Sequence, residues 1–236
     1  MNFNLFFGIW HGGIDLSKKN RIMGITFPLI IILWTFLFYK FLFLYGKLIS
    51  LDDARTHIGH IIFQHIVVNL PIWFMLIRSV KKDRKAFFLI LPHKKFWQII
   101  LGIETLIYLG LFVYGVSIKV DIVQVLYSAA FYLFMVSFAE EFLYRGWIPM
   151  LLKNGFSEWT VWILPTLLFT LSHYVMIFVD NQGIKDISIS QLLFFFLSTI
   201  VFGLLMELIK RKSQSLWIVV LLHAIYDFYG EIMLWI

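Results

Sequence analysis

The stretch FAEEFLYR, residues 138–145, decides the fold because it places two adjacent carboxylates, Glu140 and Glu141, inside a long apolar run. A carboxylate at bilayer depth costs roughly 2.5–3.5 kcal/mol, so a chain keeps one only when it is paired, hydrated or used in chemistry. Arg145 follows Glu141 by one helical turn, which puts these two charges on one helix face. Glu140 points about 100° away around the helix and has no such local partner. The stretch therefore predicts a membrane helix with one self-neutralised pair and one carboxylate that needs another explanation.

The composition of the chain indicates a membrane protein. Hydrophobic residues make up 61% of the 236 residues and charged residues only 14%, against a usual charged share of about 25%. The net charge of +6 comes from basic residues between apolar runs, which is typical of cytoplasmic loops and not of a nucleic-acid-binding face. The chain has no cysteine, which excludes disulfides, thiol nucleophiles and cysteine metal sites. We expect a multi-pass protein of the cell membrane, surrounded by the lipid bilayer and without a nucleic-acid partner.

Apolar runs of about 20 residues, the length that spans a bilayer, recur along the chain. They predict an all-α polytopic bundle of about seven transmembrane helices, at Ile22–Tyr45, His57–Ile77, Phe96–Val116, Ile122–Leu152, Trp159–Val179, Ile189–Ile209 and Leu216–Trp235. Basic residues cluster in alternate loops, which predicts a cytoplasmic N-terminus. We expect a single membrane domain over residues 1–236, with N-terminal helices in 22–116 and the polar motifs in 122–236.

The predicted fourth, fifth and seventh helices carry polar side chains at positions away from their ends. Besides Glu140, these are His173 on the fifth helix and, one turn apart on the seventh, His223 and Asp227. These side chains lie at similar depths in the membrane if the fourth helix continues to about Leu152. Because polar groups on apolar helices need common solvation, we expect these four side chains to face one interior cavity.

A carboxylate with two histidines is suited to hydrolysis. Glu140 is the candidate general base for a water molecule, which His173 orients. His223 is the candidate donor to a developing oxyanion, and Asp227 orients His223. A zinc alternative uses His173 and His223 with a carboxylate as Zn²⁺ ligands and leaves one position for water.

Each feature also has a structural interpretation. The Glu141–Arg145 pair is expected to fix the helix, and a lone membrane histidine often serves only as a hydrogen bond between helices. On this structural interpretation, the protein is a non-enzymatic membrane scaffold. A transporter is disfavoured because no repeated pair of interrupted helices occurs. The zinc motif His-Glu-x-x-His, the serine elbow Gly-x-Ser-x-Gly and an aspartate-dyad motif are all missing from the sequence.

The order of the motifs resembles the CPBP family of membrane proteins. The matching positions are Glu140-Glu141-x-x-x-Arg145, Phe169-x-x-x-His173 and His223-x-x-x-Asp227, and the resemblance covers Ile122 to Ile236. This family includes CAAX prenyl endopeptidases and proteins linked to bacteriocin self-immunity, so the alternative of an immunity protein stays open.

The resemblance implies an intramembrane endopeptidase that acts on a membrane-associated peptide or protein. It implies that Glu140 and His173 activate water and that His223 with Asp227 stabilises the oxyanion, with Glu141, Arg145 and Phe169 in supporting positions. Asp227 stands where the family often has Asn, and an ionised Asp cannot donate a hydrogen bond. The family is often labelled as metalloprotease, while some members resemble glutamate-type peptidases. We predict no obligatory metal, with Zn²⁺ as the alternative.

Overall fold

The computed structural model describes residues 16–44, 66–77, 88–118, 121–153, 155–179 and 188–236. Within these ranges the chain forms seven helices and no strand. We number them α1 to α7 in chain order: Leu16–Leu44, Ile66–Ile77, Lys95–Ser117, Ile122–Leu152, Glu158–Val179, Ile189–Ser213 and Leu216–Leu234. The all-helical prediction is therefore confirmed for the described part of the chain.

Most helix ends lie within a few residues of their predicted positions. Helix α1 begins at Leu16, six residues before the predicted Ile22, and α6 continues through a charged turn to Ser213, four residues past the predicted Ile209. Lys210 and Arg211 both bind Glu207 on the preceding turn, and Arg211 also donates to Glu158 of α5 at 3.1 Å. Residues 57–65, which the sequence assigns to the second helix, lie outside the described residues.

Four of the described helices, α3, α4, α6 and α7, are long and apolar enough to cross a membrane. The outward faces of α3 and α6 expose large apolar side chains, such as Leu106 at 70% and Phe194 at 75%. Such a surface is typical of contact with lipid. The chain is thus a multi-pass membrane protein, while seven spans and a cytoplasmic N-terminus stay predictions.

Helix α4 lies at the centre of the bundle. Its first half packs against α3 and α7, and its last turns pack against α1 and α5. Every residue from Ser137 to Pro149 is buried except Glu140. A helix that is buried all round belongs to the core of a large assembly of helices. Helix α6 closes this assembly by packing on α5 and α7.

The glutamate pair lies in a short α-helical turn of α4, Ala139–Glu141, between two π-helical segments, Phe131–Phe138 and Phe142–Trp147. A π-helical segment inserts extra residues into the helical ladder and often marks a functional site. The two segments thus set how Glu140 and Glu141 project from α4.

Candidate active site

A cavity of about 270 Å³ lies beside Glu140, among residues of α1, α2, α4 and α5. Glu140 and His173 both line it, and each of these side chains is 28% exposed. Oε2 of Glu140 and Nε2 of His173 are 4.0 Å apart. We call these two residues the cavity pair. Their separation is too long for a direct hydrogen bond, and Oε2 of Glu140 is inaccessible and has no hydrogen-bond partner among the described residues.

The orientation of His173 is fixed within its own helix. Nδ1 lies 2.9 Å from the backbone oxygen of Phe169, one turn earlier. A carbonyl oxygen only accepts, so Nδ1 carries the hydrogen and donates it. In the neutral ring, Nε2 then has a free lone pair on the Glu140 side. The cavity pair therefore presents two hydrogen-bond acceptors to one water molecule.

A second group of polar residues is buried beside the cavity pair. Nη1 of Arg145 donates to Oε1 of Glu141 at 3.2 Å, and the same oxygen lies 2.9 Å from Nδ1 of His223. Nε2 of His223 lies 3.3 Å from Oδ2 of Asp227. We call these four residues the buried chain. It joins α4 to α7.

The charges of the buried chain balance one another. Both ring nitrogens of His223 face carboxylates, so both donate when the ring is protonated. Two cations then neutralise two carboxylates. This balance matters because Glu141 and Arg145 are almost completely inaccessible, at 0% and 1% exposure, and an unpaired charge at such a position is strongly destabilising.

Phe169 connects the two groups. Its ring lies beneath the guanidinium of Arg145 at 3.9 Å, and its ring centroid is 4.3 Å from that of His173 and 6.1 Å from that of His223. A cation over an aromatic face gains about 0.5–2 kcal/mol. Phe169 thus packs against both histidines and against the positive end of the buried chain.

Residues 122–229 match a family model described as type II CAAX prenyl endopeptidase Rce1-like. This segment of the chain is similar to that family, and we call it the Rce1-like segment. The resemblance to the CAAX proteases that the motifs predict is confirmed, and the matched family is one of endopeptidases. No curated protein and no solved structure matches the chain.

The Rce1-like segment contains all seven predicted site residues. Six of them form the two groups, and Phe169 packs between the groups. We predicted that Glu140, His173, His223 and Asp227 face one cavity, but only Glu140 and His173 line it. The reason is that Glu141 binds His223 at Nδ1 and holds it in the buried chain. Helix α4 does extend to Leu152, as the predicted convergence of the helices needs. The catalytic roles of these residues stay predictions.

A zinc ion shared by His173 and His223 does not fit this geometry of the Rce1-like segment. A ligand histidine needs a ring nitrogen with a free lone pair, and both nitrogens of His223 are engaged by Glu141 and Asp227. The described residues contain no group of three or more candidate ligands arranged to hold a metal ion. We therefore derive no chemical step through a metal.

The cavity also has polar wall residues that sequence reasoning missed: Thr35, Asn69, Tyr144 and Ser172. Asn69 lies on α2, outside the Rce1-like segment, and donates from Nδ2 to the backbone oxygen of Met135 at 3.1 Å. This bond ties α2 to the first π-helical segment of α4. The signal was present in the sequence, because an amide side chain in an apolar helix needs a partner for the same reason as a carboxylate.

Proposed function

We propose that this protein is an intramembrane endopeptidase of the cell membrane, which hydrolyses a peptide bond in a membrane-associated peptide or protein. The observation that carries the proposal is the cavity pair, a carboxylate and a histidine that face each other across 4.0 Å. The similarity of residues 122–229 to an endopeptidase family supports the same reaction class.

The proposed reaction begins with a water molecule between Glu140 and His173. The water donates one hydrogen to Nε2 of His173 and the other to the carboxylate of Glu140, which directs an oxygen lone pair at the substrate. Glu140 takes a proton as the water oxygen bonds to the scissile carbonyl carbon, whose π electrons move to its oxygen. When this tetrahedral intermediate collapses, the C–N bond breaks. The proton passes from Glu140 to the leaving amine, which restores the carboxylate.

In the proposed reaction, Nε2 of His223, at the outer end of the buried chain, stabilises the oxyanion. The His223–Asp227 contact is the longest in the chain at 3.3 Å, and Asp227 is 20% exposed while His223 is only 4% exposed. A substrate oxygen that replaces Asp227 at Nε2 receives a charge-assisted hydrogen bond, which a preorganised donor supplies best in a site that excludes water. Glu141 holds the other ring nitrogen in place meanwhile. This chemistry needs no obligatory metal.

A non-enzymatic membrane protein is the second candidate, and one observation favours it. Both nitrogens of His223 are engaged in the structure, so the buried chain also serves simply to hold α4 and α7 together. A scaffold or bacteriocin-immunity protein with this fold needs the buried chain but does not need the cavity pair. The two candidates therefore differ in what a substitution at Glu140 does.

The test compares Glu140→Gln with Glu104→Gln in purified protein in lipid vesicles. Glu104 is another carboxylate within a membrane-spanning helix, on α3 and 7% exposed, so the comparison controls for the loss of a carboxylate at membrane depth. Substrates are an internally quenched prenylated CAAX peptide, its unprenylated form and a set of membrane-spanning peptides, with products identified by mass spectrometry. Because loss of a general base typically costs 10²–10⁴-fold, we expect Glu140→Gln to lose cleavage and Glu104→Gln to keep it.

Two results decide against the endopeptidase. One is the absence of cleavage of every peptide by the wild-type protein, combined with a cellular phenotype that survives Glu140→Gln at normal protein level. The other is cleavage by Glu140→Gln at the wild-type rate. Cleavage of the prenylated peptide alone, or of the spanning peptides alone, identifies the substrate class within the proposal.

A further inference from the structure

Gly203, within α6, lies against α4 and α5. A β-carbon at this position would lie 2.8 Å from Cγ2 of Thr166, 3.2 Å from Nη2 of Arg145 and 3.6 Å from Cδ1 of Phe169. Nonbonded carbon atoms prefer separations of about 3.5–4.0 Å. A side chain at position 203 therefore requires Thr166 to move and requires Nη2 of Arg145 to give by a few tenths of an ångström.

The neighbours of this guanidinium leave it little freedom to move. The ring of Phe169 lies 3.9 Å from Cζ of Arg145. The Thr166 side chain is β-branched and stiff, and its hydroxyl donates to the backbone oxygen of Trp162 at 3.1 Å. A side chain at position 203 would thus push on Arg145, whose Nη1 holds Glu141 at 3.2 Å.

Helix α6 holds Arg145 at a second point, through its backbone. Lys210 follows Gly203 by two turns and so lies on the same helix face. Its Nζ donates to the backbone oxygen of Arg145 at 2.9 Å. The residue that would donate to this oxygen in an α-helix is Pro149, which has no N–H. Glu207 binds the same ammonium group at 2.8 Å, so Lys210 is itself fixed.

We propose that Gly203 is a positioning residue of the active site. By lacking a side chain, it keeps the Arg145 guanidinium on Glu141, and through Glu141 it sets the ring of His223. The effect on catalysis rests on the proposed function, whereas the effect on the His223 ring does not.

The test uses Gly203→Ala, Thr166→Ser and the double variant Gly203→Ala/Thr166→Ser. Removing the Thr166 methyl group relieves the 2.8 Å contact and leaves the 3.2 Å contact with Arg145. The double variant therefore distinguishes displacement of Arg145 from the steric clash with Thr166. It also serves as the test protein if Gly203→Ala alone does not fold.

Two further glycines supply matched controls. A β-carbon at Gly24 of α1 would lie 2.8 Å from Cδ2 of Leu152, so Gly24→Ala creates a similar clash away from Arg145. A β-carbon at Gly102 of α3 meets nothing within 4 Å, so Gly102→Ala reports the substitution alone.

The first readout does not depend on activity. Nitrogen-15 NMR of histidine-labelled protein in detergent reports the hydrogen bonds of each imidazole, and a His223→Gln sample identifies the His223 signals. We expect both His223 signals to shift in Gly203→Ala and in the double variant, and to stay unchanged in Thr166→Ser, Gly24→Ala and Gly102→Ala. Wild-type signals in the double variant, a similar shift in Gly24→Ala, or a double variant that does not fold would overturn the proposal.

The second readout is kinetic. Because small displacements within an active site cost up to about 10²-fold in rate, we expect kcat of the double variant to fall about tenfold to 100-fold, with KM nearly unchanged. Gly24→Ala should lower heat resistance and keep kcat. If the wild-type protein cleaves and Glu140→Gln does not, but the double variant has normal kcat, the positioning role fails and the endopeptidase stands. If the wild-type protein cleaves nothing, the proposed function fails and NMR alone decides the positioning of His223.

Discussion

Glu140 and Glu141 are neighbours in the chain, but they lie in opposite surroundings. Glu140 belongs to the cavity pair, is 28% exposed and lies 4.0 Å from its histidine. Glu141 belongs to the buried chain, is completely inaccessible, and binds Arg145 and His223 at 3.2 and 2.9 Å. About 100° of rotation per residue separates two adjacent side chains on a helix. That rotation is enough to give one carboxylate access to a cavity and the other a place in the core.

Loose and tight polar contacts have different roles in a protein. A reacting group needs room for water and substrate and must change its hydrogen bonds during the reaction. A group that holds helices together needs an opposite charge beside it, because an unpaired charge in the core costs stability. Substitutions in the cavity pair should therefore reduce activity, and substitutions within the buried chain should first reduce stability.

In the cavity pair, His173→Ala should have an effect as large as that of Glu140→Gln. Its Nδ1 bond lies within α5, so removal of the ring should leave the fold intact while cleavage falls by about 10²–10⁴-fold. Steady-state kinetics and thermal unfolding in detergent measure the two quantities on one sample. His93→Ala, at an exposed position before α3, is the control. A His173→Ala protein that cleaves normally, or one that loses its fold, would remove the distinction between the two groups.

In the buried chain, Arg145→Ala should lower the free energy of unfolding by about 3–5 kcal/mol, because it leaves Glu141 as a buried carboxylate with one cation fewer. Folded yield and heat resistance report the loss. Glu141→Gln/Arg145→Met, which removes both charges, should recover part of it. Lys153→Ala, at an exposed position after α4, is the control. An Arg145→Ala protein as heat-resistant as the wild type contradicts the structural role.

Asp227 belongs to the buried chain but is 20% exposed, so substitutions of Asp227 should reduce activity less than those in the cavity pair. Asp227→Asn keeps an oxygen that accepts from His223 and loses only the charge, whereas Asp227→Ala loses the acceptor as well. We expect Asp227→Asn to change kcat by less than about tenfold, the scale of one net hydrogen bond, and Asp227→Ala to lower it further. An inactive Asp227→Asn protein with its fold intact would show that the charge, and not the contact, is what matters.

The smallest expected effect is that of metal removal. Because His223 has no free ring nitrogen for a metal, a chelator titration should leave peptidase activity unchanged. Metal analysis of the same sample is the companion measurement. Stoichiometric zinc whose removal abolishes cleavage, with activity restored when zinc returns, would show that the cavity pair and the buried chain act as one metal centre.

Much of the fold follows from the sequence, because the thickness of the bilayer and the rise of the helix fix the length of an apolar run that crosses it. The helix ends differ most from the prediction at the start of α1, which is Leu16 and not Ile22, and at the end of α6, where Glu207 pairs with Lys210 and Arg211 and the helix continues. Within the site, the contacts between Glu141 and Arg145 and between His223 and Asp227 also follow from the sequence. In both pairs the partners are four residues apart, and helix geometry alone brings such residues together.

Only the tertiary structure decides the contacts between helices. Glu141 and His223 are 82 residues apart in the chain, and Lys210 reaches the backbone of a residue 65 positions away. Contacts of this kind depend on how α4, α6 and α7 pack and on the π-helical segments that rotate α4 locally, and no short-range pattern encodes them. The sequence by itself determined an all-helical membrane protein with carboxylate and histidine side chains inside its apolar helices. Packing decided that Glu140 faces the cavity with His173, while Glu141 holds His223 in the core.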